Sequence, residues 1–98
     1  MARYELNFDL YNSEPQKYEE LKSELKDLFG AVNKVERLDS TYEFNSGAAN
    51  SVIVRNLILD RLENKQAITF RVKNLDGNDW ADGETELGEI ARLNKHMS

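Results

Sequence analysis

The sequence predicts an α+β domain whose elements follow in the order β-α-β-β-α-β, and three observations carry that prediction. Apolar residues alternate with polar ones from Tyr4 to Leu10 and from Ile68 to Val72, the period of a strand with one buried face. Between these segments lie two others in which apolar residues return every three or four positions, the period of an amphipathic helix. A broken extended stretch, residues 31–45, separates the two helical patterns. Elements in this order pack as a split βαβ, or ferredoxin-like, arrangement: a four-stranded antiparallel sheet with two helices on one face and right-handed crossovers.

In the first strand Tyr4, Leu6, Phe8 and Leu10 alternate with Glu5, Asn7 and Asp9. Ser13-Glu14-Pro15-Gln16 then reads as a helix start, with Ser13 as N-cap and proline in the first turn, where its missing N–H costs nothing. Tyr18, Leu21, Leu25, Leu28 and Phe29 form the apolar stripe of that helix, and Gly30 closes it. Val32 and Val35 are out of phase with Leu38, Tyr42 and Phe44, so the extended stretch divides into two strands with a break at residues 36–39. Asn45-Ser46-Gly47 is a turn. Val52, Ile53, Leu57, Ile58 and Leu62 give the second helical stripe, capped by Asn50 or Ser46, with Arg55, Asp60 and Arg61 outside. Ile68, Phe70 and Val72 form the last core strand.

This register assigns Leu6, Phe8, Tyr42, Phe44, Ile68, Phe70 and Val72 to the helix-covered face. Asn7, Asp9, Thr41, Glu43, Thr69, Arg71 and Lys73 fall on the other, which is polar and open to water, a ligand or a partner. Residues 1–74 form the core domain and residues 75–98 an acidic C-terminal extension. The extension opens turn-rich, with Trp80 as its apolar anchor on the domain, and ends in a short helix suggested by Leu87, Ile90, Ala91 and Leu93.

Composition narrows the chemistry. The 98 residues are 40% hydrophobic and 32% charged, enough for one modest core under a polar surface, with no run long enough to cross a membrane. Met1-Ala2-Arg3 leads directly into the first strand with no leader pattern, and the expected location is cytoplasmic. The chain has no cysteine, which removes disulfides, thiolate catalysis and thiolate metal sites together. His96 is the only histidine and reads as a solvated residue. Any catalysis therefore runs on carboxylates, hydroxyls, lysines or arginines. A calcium loop from Asp76 fails its template, because Trp80 and Ala81 stand where a ligand and a glycine are required. Glycine-rich phosphate loops are absent.

One carboxylate stands out by position. Asp9 ends the first strand on the open face, just before the first crossover, and Ser40-Thr41-Tyr42 begins the third extended segment. Phe8-Asp9-Leu10, the first helix closing at Gly30, and Arg37-Leu38-Asp39-Ser40-Thr41-Tyr42-Glu43 resemble the small ferredoxin-like superfamily of CRISPR-associated protein two and virulence-associated protein D. The SinR-like branch is the most similar, and Trp80 matches its tryptophan after the last core strand.

The resemblance implies a small homodimeric nuclease of toxin–antitoxin or CRISPR-associated type, or an inactive relative, acting on RNA or single-stranded nucleic acid. It further implies that Asp9 from each subunit lies near the twofold axis and holds Mg2+, with Ser40 and Tyr42 beside it. Two facing carboxylates with waters suit a hard cation better than one does. Arg37 is a candidate phosphate contact, joined by Arg71 on the open face. The chain departs from these relatives in carrying Asn64-Lys65-Gln66 where an aspartate often precedes the last core strand.

The formal charge of −5 has an address that frames a rival reading. Residues 1–74 are nearly neutral, whereas residues 75–98 hold six acidic side chains against two basic ones. The alternative is therefore a non-catalytic protein-binding module, an antitoxin or a phage inhibitor, that docks its acidic segment bearing Trp80 on a basic protein partner.

Overall fold

The computed structural model describes residues 1–12, 14–35 and 40–97, with side chains as far as Lys95. The Ser13 cap, the strand break at residues 36–39, Arg37 and the side chain of His96 lie outside the described residues. The elements are β1 (Ala2–Leu10), α1 (Pro15–Phe29), β2 (Val32–Lys34), β3 (Thr41–Ser46), α2 (Ser51–Leu62), β4 (Ile68–Asn74), β5 (Trp80–Glu84) and α3 (Glu86–Met97). The architecture is α+β, a single antiparallel sheet in the order β2-β3-β1-β4-β5 with three helices.

The four-stranded expectation is corrected by β5. Its five residues pair with β4, Lys73 opposite Trp80 through Thr69 opposite Glu84. Gly83 tolerates this place because the Phe70 ring lies over it: a Cβ there would meet the ring at 2.4 Å. The residues at 80–84 that face the helices are thus alanine and glycine, and the missing bulk comes from the neighbouring strand.

The period-two segments form their strands in the expected phase. Tyr4, Leu6, Phe8, Tyr42, Phe44, Ile68, Phe70 and Val72 are all buried beneath the helices. Leu21 and Leu25 of α1 and Val54, Ile58 and Leu62 of α2 close the same core. An aromatic row runs through it: Phe44 stacks on Phe29 with centroids 4.2 Å apart, and Phe8 on Tyr42 at 5.2 Å. Glu24 of α1 accepts from Arg61 of α2 and from Lys65 just beyond that helix, both at 3.1 Å.

The helix ends show what the local sequence achieves. The N-cap position of α1 is Glu14, whose side chain makes no capping bond, while Pro15 takes the first helical position. Gly30 ends α1 at φ 83°, a left-handed value that a side chain disfavours. Asn50 caps α2 through Oδ1, which accepts from the Ile53 amide at 3.1 Å. The apolar stripe expected on α2 is displaced: Ser51, Val54, Ile58 and Leu62 are buried, whereas Val52, Ile53 and Leu57 are exposed. That helix is apolar almost all round, so spacing alone does not select its inner face.

The short terminal helix expected from Leu87, Ile90, Ala91 and Leu93 is α3, 12 residues long, and it rests on the start of β4. Thr85, completely buried, makes the joint. Its Oγ1 donates to the Gln66 carbonyl at 2.7 Å and accepts from the amides of Ile68 and Gly88 at 3.2 and 3.0 Å. Leu87, Ile90 and Leu93 remain exposed on its outer side. No helix among the described residues is long and apolar enough to cross a membrane.

Candidate functional site

Helices cover one face of the sheet, and the strand register specifies what the opposite face presents. Reading across β3, β1, β4 and β5, one row is Glu43, Glu5, Lys73 and Trp80, and the next is Thr41, Asn7, Arg71 and Asp82. A third runs Asp9, Thr69 and Glu84 over β1, β4 and β5. Asn7, Asp9, Thr69, Arg71, Asp82 and Glu84 line a hollow of about 530 Å³ on this face, together with Phe8, Phe70 and Gly83.

Hydrogen bonds organise the hollow from the β5 side. Arg71 donates from Nε and Nη2 to the two carboxylate oxygens of Asp82, at 2.7 and 3.1 Å, a bidentate fork. The same guanidinium lies 4.2 Å from the Trp80 ring centroid, a cation–π contact across the strand pair. Glu84 accepts from Thr69 Oγ1 at 2.8 Å and from the Arg92 guanidinium of α3 at 3.0 and 3.2 Å. Toward β1, Thr41 donates to Asn7 Oδ1 at 2.9 Å, and Asn7 donates in turn to Glu5 at 2.9 Å. At the far end Arg3 is paired with Asp76.

The charge that remains is mainly acidic, with Glu5, Asp9 and Glu43 set against Lys73. Arg3, Arg71 and the adjoining Arg92 are each already paired with a carboxylate. Glu5, Asp9 and Glu43 have no ion pair among the described residues, and Glu5 lies directly opposite Glu43. Like charges at directly opposed strand positions repel, and Lys73, opposite Glu5 on β4, offsets that repulsion only in part, so a further cation is favourable here.

The sequence-predicted residues are only partly brought together. Asp9 is exposed at the edge of the hollow, and Ser40 lies beside the same strand end, its carbonyl accepting from the Phe8 amide at 3.0 Å. Tyr42 is on the opposite, helix-covered face, 5% exposed and stacked on Phe8, and burial pushes its phenol up from the usual value. Asp9 and Tyr42 thus flank the sheet rather than share a site. Arg71 is on the open face as expected, but committed to Asp82 and Trp80. Trp80 is not packed into the domain as an anchor: it is 55% exposed. Arg55 belongs to α2, in the helix layer, where it donates to Asn56.

Among the described residues no three His, Cys, Asp or Glu side chains gather at distances that hold a metal ion. Asp9 contributes a single carboxylate, and one chain as described does not fit a magnesium site. The lining residues that the sequence reading did not place at the site are Asp82 and Glu84. The alternation of Trp80, Asp82 and Glu84 with Ala81 and Gly83 was the available signal.

Two carboxylates of this face titrate below their ordinary range. The hydrogen bond from Arg71 holds the Asp82 carboxyl down, and the one from Arg92 does the same for Glu84. A carboxylate lowered in the folded state stabilises the fold fully above its unfolded pKa, about 4 for these residue types, and loses that contribution as pH falls through the folded value. Stability should therefore be flat between pH 7 and 5 with respect to these pairs and decline below about pH 4. Denaturant unfolding of the Asp82→Asn, Glu84→Gln double variant checks this. Its acid decline should be shallower than that of the unsubstituted chain, and identical pH profiles would remove the pairs from the account.

The fold and site thus define an α+β domain with one covered and one open sheet face, the open face carrying an exposed indole and surplus carboxylates. No protein-family model, curated protein or solved structure matches the chain.

Proposed function

We propose that this protein is a non-catalytic interaction module that takes a basic protein partner on the open face of its sheet. The carrying observation is the charge arrangement there: the arginines are paired within the chain, while Glu5, Asp9 and Glu43 form no ion pair among the described residues and outnumber Lys73, the lysine between Glu5 and the exposed Trp80. Such a face attracts lysine and arginine side chains and offers the indole a flat apolar or cationic contact. It disfavours a phosphodiester, because Arg71 would have to leave Asp82 to meet phosphate and the three carboxylates outweigh Lys73. The order of the first four strands, β2-β3-β1-β4, supports a split βαβ core of the ferredoxin-like kind, extended here by β5.

A second reading rests on Asp9 alone. Its exposure at the strand end beside Ser40 favours the homodimeric nuclease, in which a second copy of Asp9 would complete a magnesium site.

One set of measurements separates the two. Titrating the chain with a blocked peptide of alternating lysine and valine should give salt-sensitive binding, and the Glu5→Gln, Glu43→Gln double variant should weaken it by about tenfold. RNA incubated with the chain and magnesium should remain intact. Absence of peptide binding would overturn the module, and cleavage that disappears in Asp9→Ala would establish the nuclease in its place.

A further inference from the structure

β5 ends the sheet, and its hydrogen-bond phase determines which backbone groups reach past that end. The Asn74 amide donates to the Asp79 carbonyl at 3.0 Å, and the Thr85 amide donates to the Ile68 carbonyl at 3.1 Å. Both pairs continue the β4–β5 register, in which Val72 faces Ala81 and Phe70 faces Gly83. Hydrogen-bonded pairs alternate with non-bonded ones along an antiparallel ladder. Ala81 and Gly83 therefore turn their N–H and C=O groups inward to β4, while Trp80, Asp82 and Glu84 turn theirs outward. No described residue hydrogen-bonds those outward groups. The edge at β2 is shorter, three residues from Val32 to Lys34.

We propose that the outer edge of β5 receives an extended basic segment of the partner as an added strand, paired through the backbone of Trp80, Asp82 and Glu84. This rests on the reading above, that the partner is basic, and specifies how it is held. Backbone pairing supplies affinity, and the side chains beside the edge supply selection. Asp82 and Glu84 stand on the open side of that edge, each paired within the chain, with Arg71 and Arg92, so an incoming cation meets them as a second partner. Asp82 gives one hydrogen bond's worth of each oxygen to Arg71, and a carboxylate has room for about four, so it can also accept from an incoming lysine or arginine.

Charge also argues against a second copy in this place. In the antiparallel register that overlaps all of β5 with itself, Asp82 falls directly opposite Asp82 and Trp80 opposite Glu84. Carboxylates so placed repel, which guards the edge against self-pairing and leaves it open to a cationic strand.

The test compares Asp82→Pro with Asp82→Ala. Both lose the carboxylate, but only proline removes the outward N–H, and it leaves the inward bonds to β4 in place because those belong to Ala81 and Gly83. With the blocked lysine–valine peptide as probe, Asp82→Pro should bind about tenfold more weakly than Asp82→Ala. A parallel measurement on the unsubstituted chain covers the case in which Asp82→Pro fails to fold: saturating peptide should slow hydrogen exchange of the Trp80, Asp82 and Glu84 amides by about tenfold. Peptide binding with unchanged exchange at those amides overturns the strand-addition proposal and leaves the basic-partner reading standing, as does equal affinity of the two folded variants. No peptide binding by the unsubstituted chain overturns both.

Discussion

Replacing Phe44 by alanine should lower the unfolding free energy by about 3–5 kcal/mol, the largest effect expected of any single truncation in this core. Phe44 sits on β3 with Val32 of β2 on one side and Tyr4 of β1 on the other, and is 3% exposed. Its ring stacks against Phe29 of α1 at 4.2 Å and 14°, and against Tyr4 at 6.2 Å and 19°. Alanine loses the transfer free energy of the ring, forfeits two aromatic pairs worth about 0.5–1.5 kcal/mol each, and leaves a void between a helix and three strands. The strands are held in register by their ladders, so they cannot close that void cheaply. Guanidinium unfolding followed by circular dichroism should show a lower midpoint with an unchanged slope. A loss below about 1 kcal/mol would mean that the aromatic row is not packed as described.

Gly88→Val should cost about 3 kcal/mol, and for a different reason. A Cβ at position 88 would lie 2.6 Å from the Ile68 carbonyl oxygen and 2.9 Å from the Ile68 nitrogen. These are backbone atoms of a paired strand and cannot rotate away as a side chain could. The helix must lift instead, and lifting it dismantles the Thr85 joint, because that hydroxyl bridges Gln66 and Ile68 to the Gly88 amide. Valine is only about 0.5 kcal/mol better than glycine in a helix, so propensity does not offset the clash. The expected signature is faster exchange of the first amides of α3 together with a lowered midpoint. Gly88→Val with unaltered stability and exchange would show that α3 is not seated against β4 this closely.

Most of the fold was legible because most of its elements advertise one buried face. The alternation at Tyr4, Leu6 and Phe8 and at Ile68, Phe70 and Val72 specified both strands and the sides they turn inward, since a one-residue slip would bury Glu5 or Arg71. α1 was legible for the same reason, and Gly30 and Asn50 gave helix ends that the structure bears out. β5 escaped because its inward residues are Ala81 and Gly83, too small to register as an apolar pattern, and because Asp82-Gly83 imitates a turn. The inner face of α2 was misplaced where apolar residues are too many to choose between.

The site was less legible than the fold. Position along β1 put Asp9 on the open face, and phase put Arg71 and Thr69 there with it. Phase also placed Tyr42 in the core, at odds with a shared site beside Asp9, and the structure resolves that conflict in favour of the core. What one-dimensional spacing does not carry is partnership across strands. Asp82 and Arg71 are 11 residues apart in sequence and 2.7 Å apart in space, and that contact turns a prospective phosphate ligand into half of an ion pair.

The single tryptophan has a consequence for how this molecule can be watched. Trp80 lies on the outermost strand, half in water and against Arg71, and the core contains no other indole. Its ultraviolet emission therefore reports on one rim of the sheet and is nearly blind to the interior, whose aromatic rings are tyrosine and phenylalanine. Melting curves recorded by that emission would follow the detachment of β5, while a strand laid along the rim would change the colour of a protein whose interior had not moved.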